Sequence, residues 1–208
     1  MRPQYQIIVF LILVLASITM VSAQGRRTDN RVDDAAQARA LPFRVDRLTP
    51  AKYVDGKAAL QAEAARRAAL DARTVDEYRP GEQQSEVDHG QKGVKTISGE
   101  RQGGKYRHAE DGGWFSLNMK VTSGQPVELL CIYWGGESGN RTFDILVDGK
   151  VIATQSLQQD KPGELFDRTY AIPEELTRGK QTVEVRFQAH PGNFAGGLYG
   201  AKILRVRS

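Results

Sequence analysis

Phe115, Leu117, Met119 and Val121 alternate with Ser116, Asn118 and Lys120. Apolar residues two apart face the same side of an extended chain, so this run predicts a strand with one face buried. Val127 to Trp134 is apolar on both faces, which suits a central strand of a sandwich. Phe143, Ile145 and Val147 alternate again, and Asp148-Gly149 separates them from the run Lys150 to Leu157. An Asp-Gly pair between two strand patterns predicts a hairpin, because both turn positions take positive φ. Further strands are predicted over Leu165–Ile172, over Val183–Phe187 and from Leu198 to Val206, with a short helical turn at Pro173–Leu176. Short strands punctuated by Gly and Pro over residues 74–208 predict an all-β fold, a jelly-roll β-sandwich. Its core should hold Phe115, Leu117, Leu129, Cys131, Phe143, Ile145, Val185 and Phe187.

The pattern before Thr74 is different. Arg2 is followed by a nearly continuous apolar run from Ile7 to Met20, and Val21-Ser22-Ala23 supplies a small-x-small cut site. This predicts a signal peptide over residues 1–23 and a secreted or periplasmic protein beginning at Gln24. The run is shorter than the ~20 residues of a spanning helix, so a membrane is a partner only if the signal stays uncleaved as an anchor. Residues 24–55 are polar and without period, and read as a disordered linker. Residues 56–73 are rich in Ala and other good helix formers, and predict a short helix with a thin apolar stripe of Leu60, Ala64 and Leu70.

Charge and composition narrow the function. The 208 residues carry 29 Lys and Arg against 25 Asp and Glu, a formal net charge of +4. Eleven basic and seven acidic residues lie in 24–73, whereas 17 basic and 18 acidic residues lie in 74–208. The basic excess is therefore outside the predicted sandwich, and a nucleic-acid partner is not expected. Mean hydropathy is −0.46, which excludes a multi-span membrane protein. One cysteine excludes a disulfide framework and a cysteine-rich zinc site. Cys131 sits in the apolar run Leu129 to Tyr133 and is expected to be buried. The sequence has no nucleophile-elbow, phosphate-loop or dinucleotide fingerprint.

The densest grouping of candidate binding chemistry is Tyr133, Trp134, Gly135, Gly136, Arg141 and Asp144. An aromatic face stacks on a sugar ring, flanking glycines let a ligand approach the backbone, and a guanidinium and a carboxylate suit vicinal hydroxyls. His190 and Asn193 lie on a loop between the last two strands, and Tyr106 is a second stacking candidate. The expected ligand-binding set is thus Tyr106, Trp134, Gly135, Gly136, Arg141, Asp144, His190 and Asn193. Equally compatible with the pattern are Trp134 as a core tryptophan, Arg141 with Asp144 as an internal ion pair, and the His190 loop as a plain chain reversal. Glu82, Gln83, Gln84, Asp88 and His89 form a polar cluster with the oxygen chemistry of a calcium or sugar site, or of contacts to another domain. No catalytic residue, no zinc site and no organic cofactor are expected.

Several strings carry a family resemblance: GEQQSEVDH at 81–89, GGWFSL at 112–117, YWGGESGNRTFDILVDG at 133–149, KPGELFD at 161–167 and VRFQAHPGNFAGG at 185–197. In this order they resemble the C-terminal β-sandwich of bacterial β-L-arabinofuranosidase-type glycoside hydrolases of families 127 and 146. The resemblance implies a galactose-binding-like or carbohydrate-binding-module fold and a non-catalytic, substrate-binding role. The implied partner is a glycan, with arabinose-containing polysaccharides first among candidates. The catalytic helical barrel and cysteine-rich zinc site of those enzymes have no counterpart in these 208 residues. Tyr106-Arg107-His108-Ala109 also stands where the family tends to have Trp-Arg-Asp-Ala. The alternative is a structural or protein-interaction sandwich, a remnant of such a hydrolase that binds no sugar. An exposed aromatic platform would favour sugar binding, whereas buried tryptophans beside an open apolar patch would favour interaction.

Overall fold

The computed structural model describes residues 50–207. The predicted signal peptide and residues 24–49 of the predicted linker lie outside the described residues. Helix α1 (Pro50–Arg73) begins six residues before the predicted start. Pro50 occupies its first turn, where a missing N–H costs nothing, and the helix continues through Gly56 despite that residue's low propensity. The strands that follow are β1 (Thr74–Tyr78), β2 (Lys92–Arg101), β3 (Gly104–Lys120), β4 (Val127–Trp134), β5 (Thr142–Val147), β6 (Lys150–Ser156), β7 (Leu165–Ile172), β8 (Thr182–Ala189) and β9 (Ala195–Arg205). Helix α2 (Gln83–Asp88) lies between β1 and β2, and the single turn α3 (Glu174–Thr177) lies between β7 and β8. Among the described residues no helix is long and apolar enough to cross a membrane.

All strand pairs are antiparallel, in the order β6-β5-β8-β3-β9-β4-β7, with β1 added to β9 and β2 to β3. The ladder is continuous but folds over on itself, giving the expected all-β sandwich. Two long strands carry it round the bend. The second half of β3 (114–120) pairs with β8, whereas Arg107 to Ala109 pair with the start of β9. The rest of β9 pairs with β4. The predicted hairpin is present, with Asp148 and Gly149 at φ +47° and +80° between β5 and β6.

The predicted core residues are all buried between the two layers. Phe115 stacks on Phe187 with ring centroids 4.8 Å apart, and Phe143 meets Tyr133 of the opposite layer at 6.0 Å. Burying each such side chain contributes roughly 1.5–3 kcal/mol before ordering costs. Leu130 and Leu204 are buried on the outer side of β4 and β9, where the last turns of α1 lie over them. Arg73 anchors that contact by pairing with Glu128 and donating to the carbonyl of Arg205. From Gly56 to Ala69 the helix is exposed apart from Glu63, Leu60 at 74%.

The β1–α2 segment is fastened by buried charge. Arg107 donates from Nη2 to Glu86 at 2.6 Å, and Glu86 also accepts the Gly81 N–H. Asp76 accepts the Lys120 N–H and lies 3.3 Å from His89 Nε2. Of the polar cluster predicted near this entrance, Gln84 donates to Asp88 and His89 Nδ1 contacts the Ser85 carbonyl. These side chains therefore hold one another and the segment's fold. Among the described residues no three His, Cys, Asp or Glu side chains converge as a metal site.

Candidate functional site

The bends in β3 and β9 bring two strand segments beside two loops. The first half of β3 supplies Tyr106 and His108, and the start of β9 supplies Gly197 and Tyr199. The β4–β5 loop supplies Glu137 and Arg141, and the β8–β9 loop supplies Phe194. Tyr106 and Tyr199 form adjoining rings, with centroids 5.6 Å apart and planes tilted by 37°. His108 lies 5.5 Å from Tyr106 and 5.9 Å from Phe194. The Arg141 guanidinium sits over the Phe194 ring at 5.3 Å, forms an ion pair with Glu137 through Nε at 2.6 Å and donates to the Gly196 carbonyl at 3.1 Å. The ion pair is nearly buried, with side-chain exposure of 15% for Arg141 and 9% for Glu137.

The cluster holds polar atoms that the protein does not satisfy. His108 is buried, and neither ring nitrogen has a hydrogen-bond partner among the described residues. Glu110 Oε1 comes to 3.3 Å of Nε2, an ionic contact outside hydrogen-bond geometry. The buried hydroxyl of Tyr199 likewise lacks a partner among the described residues. An unsatisfied buried polar group costs about 1–3 kcal/mol, and all three of these atoms are shielded from solvent. Burial, reinforced by the Arg141 charge, holds the His108 imidazole below its ordinary pKa and so neutral. Burial, with Glu137 nearby, raises the Tyr199 phenol. The space over the Gly197 Cα is bordered by Glu137, Tyr106 and Tyr199, and a methyl placed there would meet all three at 3.5–3.6 Å.

The eight residues expected from sequence divide between places. Tyr106 and Arg141 belong to this cluster. Asp144 does not pair with Arg141. It accepts from Thr154 Oγ1 at 2.6 Å and lies 3.0 Å from His190 Nε2. Register places Asp144 beside Gln188 and Gln188 beside Trp114, whose ring carries the Arg186 guanidinium at 4.0 Å. Asn193 uses its amide on the loop, accepting the Thr142 N–H and donating to the Pro191 carbonyl. Trp134 is half-buried at the end of β4, with Gly136 under its indole edge. Gly135 packs against the backbone of residue 161, where a Cβ would lie 2.0 Å from the Lys161 oxygen. That glycine is therefore required by the chain itself and not by ligand approach.

Sequence reasoning missed His108, Glu137, Phe194, Gly197 and Tyr199. The four-residue spacing of Glu137 and Arg141 was a usable signal, whereas Tyr199 joins the site only through the β3–β9 pairing. Tyr199 also borders a cleft of about 450 Å³ lined by Glu77, Arg79, Glu100, Lys105 and Lys202. There Glu77 is already paired with Arg79 at 3.0 Å and Lys202 at 3.1 Å.

Residues 69–204, from the last turns of α1 almost to the end of β9, match the model of a family of unknown function, DUF6805. The chain belongs to the DUF6805 family. No curated protein sequence matches it. The DUF6805 fold is similar to a family 35 carbohydrate-binding module from Clostridium thermocellum at 12% identity and a TM-score of 0.48, covering 63% of this chain and 99% of that one. It is also similar to the C-terminal family 6 module of a laminarinase from Zobellia galactanivorans, at 13% identity and a TM-score of 0.41, over 55% and 91% of the two chains. An exo-β-1,3-galactanase from Phanerochaete chrysosporium shares 14% identity at a TM-score of 0.46, over 61% of this chain. The DUF6805 chain spans only 28% of that enzyme.

Proposed function

We propose that this protein is a secreted, non-catalytic carbohydrate-binding module related to the substrate-binding sandwich of arabinofuranosidases of glycoside hydrolase families 127 and 146. One observation carries the reading. Two adjoining tyrosine rings stand beside a buried imidazole and a phenol hydroxyl that have no hydrogen-bond partner among the described residues. An aromatic surface beside a few fixed polar groups is what a sugar ring requires. The Glu137–Arg141 pair holds the two loops around that surface. Secretion is supported by the apolar run from Ile7 to Met20 and the small-x-small cut site at Ala23.

Affinity gel electrophoresis of the full chain against arabinan, arabinogalactan and galactan tests the proposal. Retardation by at least one glycan is expected, and Tyr106→Ala should lose about tenfold or more in affinity while staying folded. Failure of every glycan to retard the folded chain would overturn it. N-terminal sequencing of the exported protein tests the leader, with Gln24 expected.

A further inference from the structure

We infer that the cleft bordered by Tyr199 is a second sugar subsite, continuous with the tyrosine pair, so that the protein binds a stretch of glycan chain and not a single residue. This rests on the reading of the tyrosine cluster as a sugar site. Strand pairing explains why the cleft exists. β3 and β9 pair only from Ala109 to Arg107, and from Tyr106 to Gly104 β3 pairs with β2 alone. β9 meanwhile continues beside β1, with Tyr78 opposite Ala201 and Glu77 opposite Lys202. The β2–β3 hairpin thus parts from the β1–β9 pair just beyond the two tyrosines. The space between them is the cleft of about 450 Å³, a size within the ~300–1,000 Å³ of small-ligand sites. Glu100 and Lys105 line it from the hairpin, and Gly200 and Lys202 line it from β9. Tyr199 lines it and also adjoins Tyr106, so one ring borders both places.

The cleft offers the two kinds of surface that a sugar residue needs. Pro80, Ile132 and Ala201 supply apolar groups for the C–H face of a ring, and charged side chains supply the walls. Some of those charges are committed: Glu77 is held by Arg79 at 3.0 Å and by Lys202 at 3.1 Å. Others are free. Glu100 and Lys105 stand opposite each other in the β2–β3 ladder, yet among the described residues neither is in an ion pair. Lys105 instead packs its methylene stem against Gly81 and donates to the Gly81 carbonyl at 3.3 Å. Two ammonium protons and a whole carboxylate therefore remain, both on exposed residues. Arg101, next in the hairpin, adds a cation that is likewise without an ion pair among the described residues. A sugar hydroxyl both donates and accepts, so it can bridge a carboxylate and an ammonium, and charged partners make the stronger hydrogen bonds.

Calorimetric titration of the full chain tests this with arabinose, galactose, arabinotetraose and galactotetraose. The tetrasaccharide of the sugar that binds should bind at least about tenfold tighter than its monosaccharide. Where the heat of the monosaccharide is small, competition against the tetrasaccharide gives its affinity. Lys105→Ala and Glu100→Gln should each shrink the tetrasaccharide-to-monosaccharide ratio, and the double variant should bring it close to one. Thermal unfolding confirms that these variants of exposed residues are folded. A tetrasaccharide no tighter than its monosaccharide would overturn the inference and leave the sugar reading standing. A ratio unchanged in the double variant would overturn it too, since the extra contacts would then lie elsewhere. Equal losses on both lengths would do the same, since the cleft would then be the primary site. If none of the four ligands binds while a glycan still retards the chain in affinity gels, this inference alone falls. If no glycan retards it, the sugar reading falls with it.

Discussion

Arg141 pairs through Nε with Glu137 Oε2 at 2.6 Å, four residues earlier on the same loop, and takes no part in the pairing of Asp144 with His190 at 3.0 Å. The two charged residues on either side of the start of β5 therefore serve different places. Arg141 reaches back across Phe194 toward β9 and the tyrosine pair, whereas Asp144 lies on the outer face of the layer formed by β8, β5 and β6.

This division predicts opposite outcomes for two neighbouring substitutions. Arg141→Ala leaves the Glu137 carboxylate, 9% exposed, without its cation. Stability should fall by about 3 kcal/mol, and affinity for the retained glycan should drop about ten- to a hundredfold. Asp144→Ala should leave that affinity unchanged and cost less than Arg141→Ala in stability. Calorimetric titration beside thermal unfolding reads both, and equal losses of affinity in the two variants would contradict the division.

The Glu86–Arg107 pair should show itself in the pH dependence of stability. Burial alone would raise the Glu86 carboxyl, but the Arg107 guanidinium and the Gly81 N–H outweigh it and hold it below its ordinary value. A carboxyl depressed in the folded state contributes stability above its unfolded pKa of about 4.3, and that contribution is lost as pH falls through the lowered value. Glu86→Gln should thus be less stable than the parent at pH 7 by about 1–3 kcal/mol. The gap should narrow between pH 4 and the folded-state value. Urea unfolding at pH 7 and at acid pH checks this, and a gap independent of pH would refute it.

Gly135→Ala should destabilise the domain by about 1–3 kcal/mol or more. The added Cβ would fall 2.0 Å from the Lys161 carbonyl oxygen, which is backbone and cannot swing aside. The N–H of Gly135 also donates to the Glu164 carbonyl, and its own carbonyl accepts the Lys161 N–H, so the two loops would have to part together. A melting temperature unchanged from the parent would show that the loops accommodate the methyl group.

Cys131 should be inert while the protein is folded. Burial pushes its thiol up to about 12, and the side chain lies in the sandwich core. Thiolate is the reactive form, so a water-soluble thiol reagent should modify the native protein negligibly and the urea-unfolded protein fully. Rapid modification under native conditions would mean that this part of β4 opens locally.

Period-two alternation was enough to place the second half of β3, together with β5 and β8, because each presents one face to the core, whereas β4 was placed by its unbroken apolar run. Asp148-Gly149 placed the β5–β6 turn for the local reason that both residues take positive φ. Strand β2 was not legible. Nearly all its residues are exposed, Val94 and Ile97 among them, so no buried face writes an alternation into it. The first half of β3 was hidden for a related reason, since its Arg107 is buried by an ion pair with Glu86 and not by apolar packing.

The candidate site was legible only as residue types. Tyr106 and Arg141 could be named from their chemistry, and Asp144 could be named equally well although it lies with His190 and Thr154. What separated them was tertiary. Tyr199 and Gly197 meet Tyr106 because Arg107 pairs with Leu198 and His108 with Gly196, across some 90 residues of chain. Alternation in sequence records which side of a strand faces the core. Which strands lie side by side, where they bend, and hence which loops converge is settled by the closure of the whole sandwich, and that left the His108 ring nitrogens and the Tyr199 hydroxyl buried without a hydrogen-bond partner among the described residues.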